Sequence, residues 1–523
     1  SLDNVDITSI TSKRNQTSIT NLDADFSAAD IISDQRQDYE FDTFSQEIRI
    51  SSNDINSNLD WMVGAYYQQE DIDSFRNVTY GTQTYTYSDT LVTLGLSQAI
   101  AAAAIEGYLA AGLPPAGAQA FAEQAVADAL GPVGGSGLAY VGAAFGVCVV
   151  NGVACTDVFY IPGTGMPSSV WNMDNTAMSF FGQMEYRIND SLTATLGLAY
   201  SDDSKDVSGD ITIIDAFAAL PLEAAGLGAL SGLQFFPAFR NYPNADEDGK
   251  FDSDDVTHTL SLAYAMSDNT SIYATHSSGF KATSVNMTVD ARDVRAADPE
   301  DATNYEIGLK TTFDNGYINL AYFDQNIEGF QSNAFSGTGF NLVNAGKESH
   351  KGVELDSMLA LSENLMLRVS AMQLDAVYDS FEKGTCDTTG LAEPEYQCPA
   401  GQPYVDLSGL NPAGIHDLSA NANIVYSFNL GGALDGFARL EYVYEEDTNL
   451  ADLIPVSIAE RGFKNVNASL GFNADNWSIM FWGRNITDHE TLYSAFPTTA
   501  APGSFSGYPS APSTYGVTFK MNL

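Results

Sequence analysis

The 523-residue chain carries 22 Lys and Arg against 67 Asp and Glu, a formal net charge of -45, so DNA or RNA would be repelled rather than held by counterion release. Hydrophobic residues at 44% exclude a disordered chain, and charged residues at only 17% with abundant Gly (44), Tyr (26) and Phe (29) suit many strands joined by turns. No composition break or linker divides residues 1–523, so one continuous architecture is expected instead of several soluble domains.

Ser1 opens in polar, strand-like sequence, not in a basic start followed by an apolar core, so no signal peptide is visible; it has been removed or the sequence begins late. The first strand is expected near Val5 to Arg14. Period-two alternation then recurs to the end of the chain. Leu192, Ala194, Leu196, Leu198 and Tyr200 share one face, against Thr193, Thr195, Gly197 and Ala199 on the other. Further on, Arg439 and Glu441 oppose Ala438, Leu440, Tyr442 and Tyr444. In the last strand, Tyr515, Val517, Phe519, Met521 and Leu523 alternate with Gly516, Thr518, Lys520 and Asn522. The apolar face is expected to meet lipid and the polar face a lumen.

Short polar turns are expected at Asn53 to Asn58, Asn189 to Ser191, Ser267 to Asn269, Asp314 to Gly316, Ser362 to Asn364, Asn429 to Ala433 and Ala474 to Asn476. Long connections lie between them, including residues 15–38, 81–170, 214–250, 283–299, 381–413 and 491–509. Alternating short and long connections place all the short turns at one rim and the long loops at the other, which a soluble sandwich does not do readily. The fold class read from this rhythm is all-β: a transmembrane antiparallel barrel wall of about sixteen strands with long extracellular loops.

The loop 81–170 contains an Ala-rich stretch, Ser97 to Leu130, broken at Leu113, Pro114 and Pro115; two short helices are expected there, as a structural cap or a ligand-closing gate. Residues 129–156 lack charge, but repeated Gly and Pro132 make them a poor spanning helix. Four cysteines fall into two local pairs, Cys148 with Cys155 and Cys386 with Cys398. Their loop setting points to disulfides in an oxidising compartment, with buried free thiols as the alternative; neither pair has zinc-ligand spacing. The acidic stretch from Asn244 to Asp255 partly imitates a calcium loop, with Asp246, Asp248, Gly249 and Asp252 in suggestive places. The closing bidentate Glu is missing, so a solvated strand end is the competing reading.

Several segments resemble the TonB-dependent outer-membrane receptors. Phe44-Ser-Gln-Glu-Ile-Arg-Ile-Ser-Ser52 with Leu59-Asp-Trp-Met-Val-Gly-Ala-Tyr-Tyr67 is similar to paired barrel strands of that family. Ile272-Tyr-Ala-Thr-His-Ser-Ser-Gly-Phe-Lys281 and Asn304-Tyr-Glu-Ile-Gly-Leu-Lys310 resemble its mid-barrel signature. Asn344-Ala-Gly-Lys347, Gly352-Val-Glu354, Gly483-Arg-Asn-Ile-Thr-Asp488 and Pro512-Ser-Thr-Tyr-Gly-Val517 resemble its later strands. These residues read as scaffold: Gly352 and Gly483 for close packing, Trp61 and Tyr66 in an interfacial aromatic belt, Asn485 satisfying backbone at a strand end.

The resemblance implies a bacterial outer-membrane, multi-pass barrel of twenty-two strands with an amino-terminal plug. It also implies coupling through that plug to the TonB energy-coupling complex, and import of a scarce small-molecule nutrient. Neither the plug nor about six of the strands is recognisable here, and Leu523 stands where an aromatic usually ends such proteins. The expected ligand is a ferric siderophore or similar iron complex, with an oligosaccharide or cobalamin receptor and a passive porin as alternatives. Haem is disfavoured because His258, His276, His350, His416 and His489 lie on different segments. Outer-membrane lipid and a surface lipoprotein are the other expected partners, with no cofactor. No HExxH, GxSxG or P-loop is present, and an enzyme is not expected.

Overall fold

The computed structural model describes all residues except 1–3, 55, 150–151, 237–240, 289–293, 336–339, 388–391, 400–401, 403, 452, 499–503 and 523. Sixteen antiparallel strands form one wall among them: β1 (Val5–Asn21), β2 (Arg36–Ser52), β3 (Leu59–Tyr80), β4 (Gly165–Asn189), β5 (Leu192–Ile214), β6 (Lys250–Ser267), β7 (Thr270–Lys281) and β8 (Glu300–Phe313), then β9 (Gly316–Glu328), β10 (Lys347–Ser362), β11 (Leu365–Ser380), β12 (Leu418–Asn429), β13 (Asp435–Asn449), β14 (Glu460–Asn473), β15 (Trp477–Arg484) and β16 (Thr514–Met521). A short strand, Ile32–Asp34, is added where it meets the end of β3. Each wall strand pairs with the next in sequence. Among the described residues β1 pairs only with β2 and β16 only with β15, so the wall has two free edges.

All seven expected short turns are present and lie on one rim, because each joins an even-numbered strand to the following odd-numbered one. The other rim carries the long connections. Two of these, residues 329–346 and 450–459, were not foreseen. The first contains its own hairpin, Gln331–Phe335 with Phe340–Asn344, and the second a four-residue helix, Val456–Ala459. Strand β1 runs on to Asn21 where a loop was expected, because its polar residues continue the ladder against β2.

Register confirms the two-faced reading. Ile48, Ala65, Phe180, Tyr200 and Val256 stand directly opposite one another across five strands. Leu196 stands opposite Met184 and Leu260, and Phe519 opposite Ile479. Phe180, Val256, Val517 and Phe519 are all exposed, as expected for a face that another apolar phase covers. The parity rule also corrects one expectation. Trp61 shares the face of Val63, but Tyr66, an odd number of residues away, falls on the opposite face beside Ser179 and donates to Gln68 at 2.8 Å; Tyr67 is the tyrosine that shares the Trp61 face.

Towards the long-loop rim the same outer face turns acidic. Asp42, Asp71, Asp174 and Asp206 are direct cross-strand neighbours, and Lys250 ends the row in an ion pair with Asp206. Burial raises the carboxyl pKa of Asp174, and the charges of Asp71 and Asp206 raise it further. Such a group is easier to protonate folded than unfolded, so its penalty is present at neutral pH and is relieved as pH falls through the raised value. Asp174→Asn should therefore stabilise the protein by about 0.2–1 kcal/mol at pH 7, at the low end given its exposure. Thermal melts at pH 7 and pH 3 check this: the gain should vanish at the lower pH.

The connection 81–164 forms a helical cap with α1 (Thr84–Ala110), α2 (Ala118–Leu130) and α3 (Gly137–Ala144). The break at Leu113 to Pro115 falls where expected. Helix α1, however, begins thirteen residues before Ser97, because Thr84, Ser88, Val92 and Leu96 recur every fourth residue and are buried against the cap core. This helix is long and apolar enough by composition to cross a membrane, yet it lies in the cap and only 11% of its most apolar window is buried. Helix α3 hides behind its glycines: Ser136 accepts from the Ala139 amide at 3.0 Å as an N-cap, and a Cβ on Gly142 would meet Cys148 Sγ at 1.9 Å.

Candidate functional site

The polar face of the wall is where chemistry can occur. On β7 to β10 it carries a row of directly opposed residues, Ser277, Asn304, Gln325 and His350. Two residues nearer the short-turn rim on β8 stands Glu306, which accepts the Tyr273 hydroxyl at 2.5 Å. Glu354 is exposed on β10 opposite Ala321 and Met372. Two cavities, of about 580 and 500 Å³, meet along this face and share Glu354 and Met372 in their walls. The upper one is lined by carboxylate, amide, hydroxyl and imidazole groups and contains no Lys or Arg.

Small residues shape these walls. A Cβ on Gly352 would meet the Phe323 ring at 2.6 Å, so the glycine lets that ring lie flat across β10. On the opposite, apolar face Gly483 makes room in the same way for the Tyr515 ring. Asn485, buried and in the left-handed region at φ 47°, donates to the carbonyls of His489 and Ala511 at 3.0 and 3.1 Å and accepts from the His489 amide. It satisfies backbone at the end of β15, the role its motif suggested.

Further round, Glu441 accepts from Arg439 at 2.9 Å and from Asn467 at 3.1 Å. At the top of β10, Glu348 is 1% exposed; one oxygen lies 2.8 Å from His350 Nε2, and the other has no hydrogen-bond partner among the described residues. These polar-face residues escaped sequence reading as a site. Asn304, Glu306 and Glu354 sit inside motifs read as scaffold, and applying parity to those motifs would have separated the polar-face Glu306 and Glu354 from their apolar neighbours.

Above the wall, the cap closes around Tyr80, Phe159, Tyr160, Phe217, Phe235 and Phe236. Asp215 sits among them, taking hydrogen bonds from the Tyr80 hydroxyl and from the amides of Phe217 and Ala218. Burial pushes its carboxyl pKa up, and burial together with the Asp215 charge holds the Tyr80 hydroxyl well above its usual range. Arg295, 1% exposed, lies over the Trp171 ring at 4.9 Å and donates to the carbonyl of Thr288. The cysteines stand as disulfides, Cys148 with Cys155 in the cap and Cys386 with Cys398 in the loop between β11 and β12.

Asp248 accepts from the Lys250 amide at 3.0 Å, Asp252 lies on β6 opposite Ser204, and Asp246 donates its amide to Asn244. Among the described residues no group of three or more His, Cys, Asp or Glu could hold a metal ion. The five histidines stay on separate segments, apart from His258 and His276, which face each other across β6 and β7 with ring nitrogens 3.0 Å apart.

The family model described as TonB dependent receptor-like, beta-barrel, matches residues 2–486, and the chain belongs to that family. This makes it a bacterial outer-membrane β-barrel protein, and an exposed apolar outer face is what such a barrel turns to lipid. Three solved structures share the fold. The ferric yersiniabactin uptake receptor FyuA from Yersinia pestis is 12% identical with a TM-score of 0.65, matching 100% of this chain and 60% of its own. The siderophore receptor PiuA from Acinetobacter baumannii is 13% identical with a TM-score of 0.59, matching 99% and 62%. The copper transporter OprC is 10% identical with a TM-score of 0.57, matching 99% and 65%. The chain thus spans less than two thirds of the length of each.

Proposed function

We propose that this chain is the lipid-facing barrel portion of an energy-coupled receptor that imports a ferric siderophore or a similar iron complex. The observation that carries the reading is the family match over nearly the entire wall, joined to fold neighbours described as siderophore receptors. In this reading the long-loop rim is extracellular and the short turns are periplasmic.

Two free edges cannot stand in hydrocarbon, so further strands of the full protein close the wall between β16 and β1. The polar face then surrounds a plug that gates the lumen and engages the energy-coupling complex. Glu306 and Glu354 are the natural seats for basic plug side chains, since neither makes an ion pair among the described residues. The cap over β3 to β6 and the disulfide-braced loop between β11 and β12 guard the entrance.

Uptake of radiolabelled ferric chelates by iron-starved cells carrying the full-length gene tests this. Accumulation should exceed that of a deletion strain at least tenfold and should collapse when the proton gradient or the coupling protein is removed. Accumulation that survives both treatments, or no iron chelate taken up at all, would overturn the reading.

A further inference from the structure

We infer that His416 is a proton-operated latch between the long-loop rim and the wall, with Arg461 and Glu445 as its two alternative partners. His416 lies in the segment just before β12. That segment is tied to β13 by the Gly414 amide donating to the Asn449 carbonyl at 2.7 Å and by the Thr448 hydroxyl donating to the Ile415 carbonyl at 2.6 Å. The imidazole is largely buried, its side chain 11% exposed.

The ring's two nitrogens have unlike surroundings. Nδ1 lies 2.6 Å from the Glu446 carbonyl. A carbonyl can only accept, so Nδ1 carries its proton whether the ring is neutral or charged. Nε2 lies 3.3 Å from Arg461 Nη2 and 3.4 Å from Glu445 Oε2. A guanidinium can only donate and an ionised carboxylate can only accept, so the two cannot both be satisfied by one state of Nε2.

The neutral ring presents a lone pair and takes the Arg461 hydrogen bond. The imidazolium presents N–H, turns to Glu445 and repels Arg461. Among the described residues, the other ionisable groups nearby are Asp417, next in sequence, Glu446, whose carbonyl faces Nδ1, and Asp447 and His489, which both lie against Gly462.

Acidification therefore exchanges one contact and frees one cation. Among the described residues Arg461 Nε is buried without a partner and no carboxylate lies within ion-pair distance of Arg461. Losing the Nε2 acceptor leaves its head held by nothing on the wall. The latch is thus a device by which acid at the cell surface releases a guanidinium at the long-loop rim, ready for an anionic group.

Nitrogen NMR of the full-length protein labelled with ¹⁵N-histidine tests this, with His416 assigned by difference from a His416→Gln variant. At pH 8.5 the ring should be the Nδ1–H tautomer, the minority form for free histidine, and on acidification it should convert to imidazolium. In Glu445→Gln the conversion should move to lower pH by at least half a unit, and in Arg461→Met to higher pH by a similar amount. An Nε2–H tautomer at pH 8.5 in the unmodified protein overturns the latch without recourse to any variant. A conversion that neither substitution moves overturns it as well.

Discussion

Replacing Leu196 with Lys is expected to destabilise the folded barrel by about 2–4 kcal/mol, whereas the same change one residue away, at Thr195, should cost under about 1 kcal/mol. Leu196 sits between Met184 and Leu260 on the lipid-facing side, four residues above the short turn, so a charged group there must be desolvated or drag water into the bilayer. Thr195 lies on the polar face opposite Glu185 and Ser261, where an ammonium group finds acceptors and water. Urea titrations of the full-length protein in lipid vesicles measure both. Equal losses at the two positions would mean that the facing of β5 is wrong, and with it the register of the whole wall.

Trp171→Ala is expected to loosen the cap by about 3–5 kcal/mol while leaving the lipid-embedded wall unaffected. The Trp171 ring is 1% exposed, presses on Gly209 where a Cβ would come within 2.5 Å of it, packs on Tyr242 at 5.9 Å, and forms the floor under the buried Arg295 guanidinium. Alanine leaves a cavity and removes the cation's aromatic face together. Native-state hydrogen exchange resolves the site of the loss. Amides of Phe159, Phe217 and Tyr242 should exchange at least a hundredfold faster, with those of Leu196 and Leu260 unchanged. Uniform acceleration through both regions would show that cap and wall unfold as one unit.

Much of the wall was legible because barrel strands obey a strict rule: with a period of two, each of Leu192 to Tyr200 and Tyr515 to Met521 declares its face. The seven short turns were equally plain, since Asn, Asp, Ser and Gly cluster there and little else competes. Sequence reading failed where tertiary packing overrides local preference. The first three turns of α1 are rich in Thr, Tyr and Ser, and only burial of Val92 and Leu96 against the cap makes them helical. Helix α3 carries Gly142 where the Cys148–Cys155 disulfide crowds it and Gly137 where the backbone of α1 does. Tyr66 was misplaced for a simpler reason, a neglected parity.

The polar-face site was less legible than the wall. Glu306, Glu354, Gln325 and His350 come from three strands and meet only through cross-strand register, which no local pattern encodes. The His416 latch is further removed, since Arg461 lies forty-five residues away and is brought there by two intervening strand pairings.

The central claim is that this wall belongs to a gated receptor and not to an open pore. Liposome swelling with the full-length protein tests it most directly, using small neutral sugars and no energy source. The account predicts swelling no faster than in protein-free vesicles, because a gated receptor keeps a plug in the lumen that the polar face surrounds. Steady swelling without any energy source, falling off with sugar size, would contradict it and establish a passive porin instead.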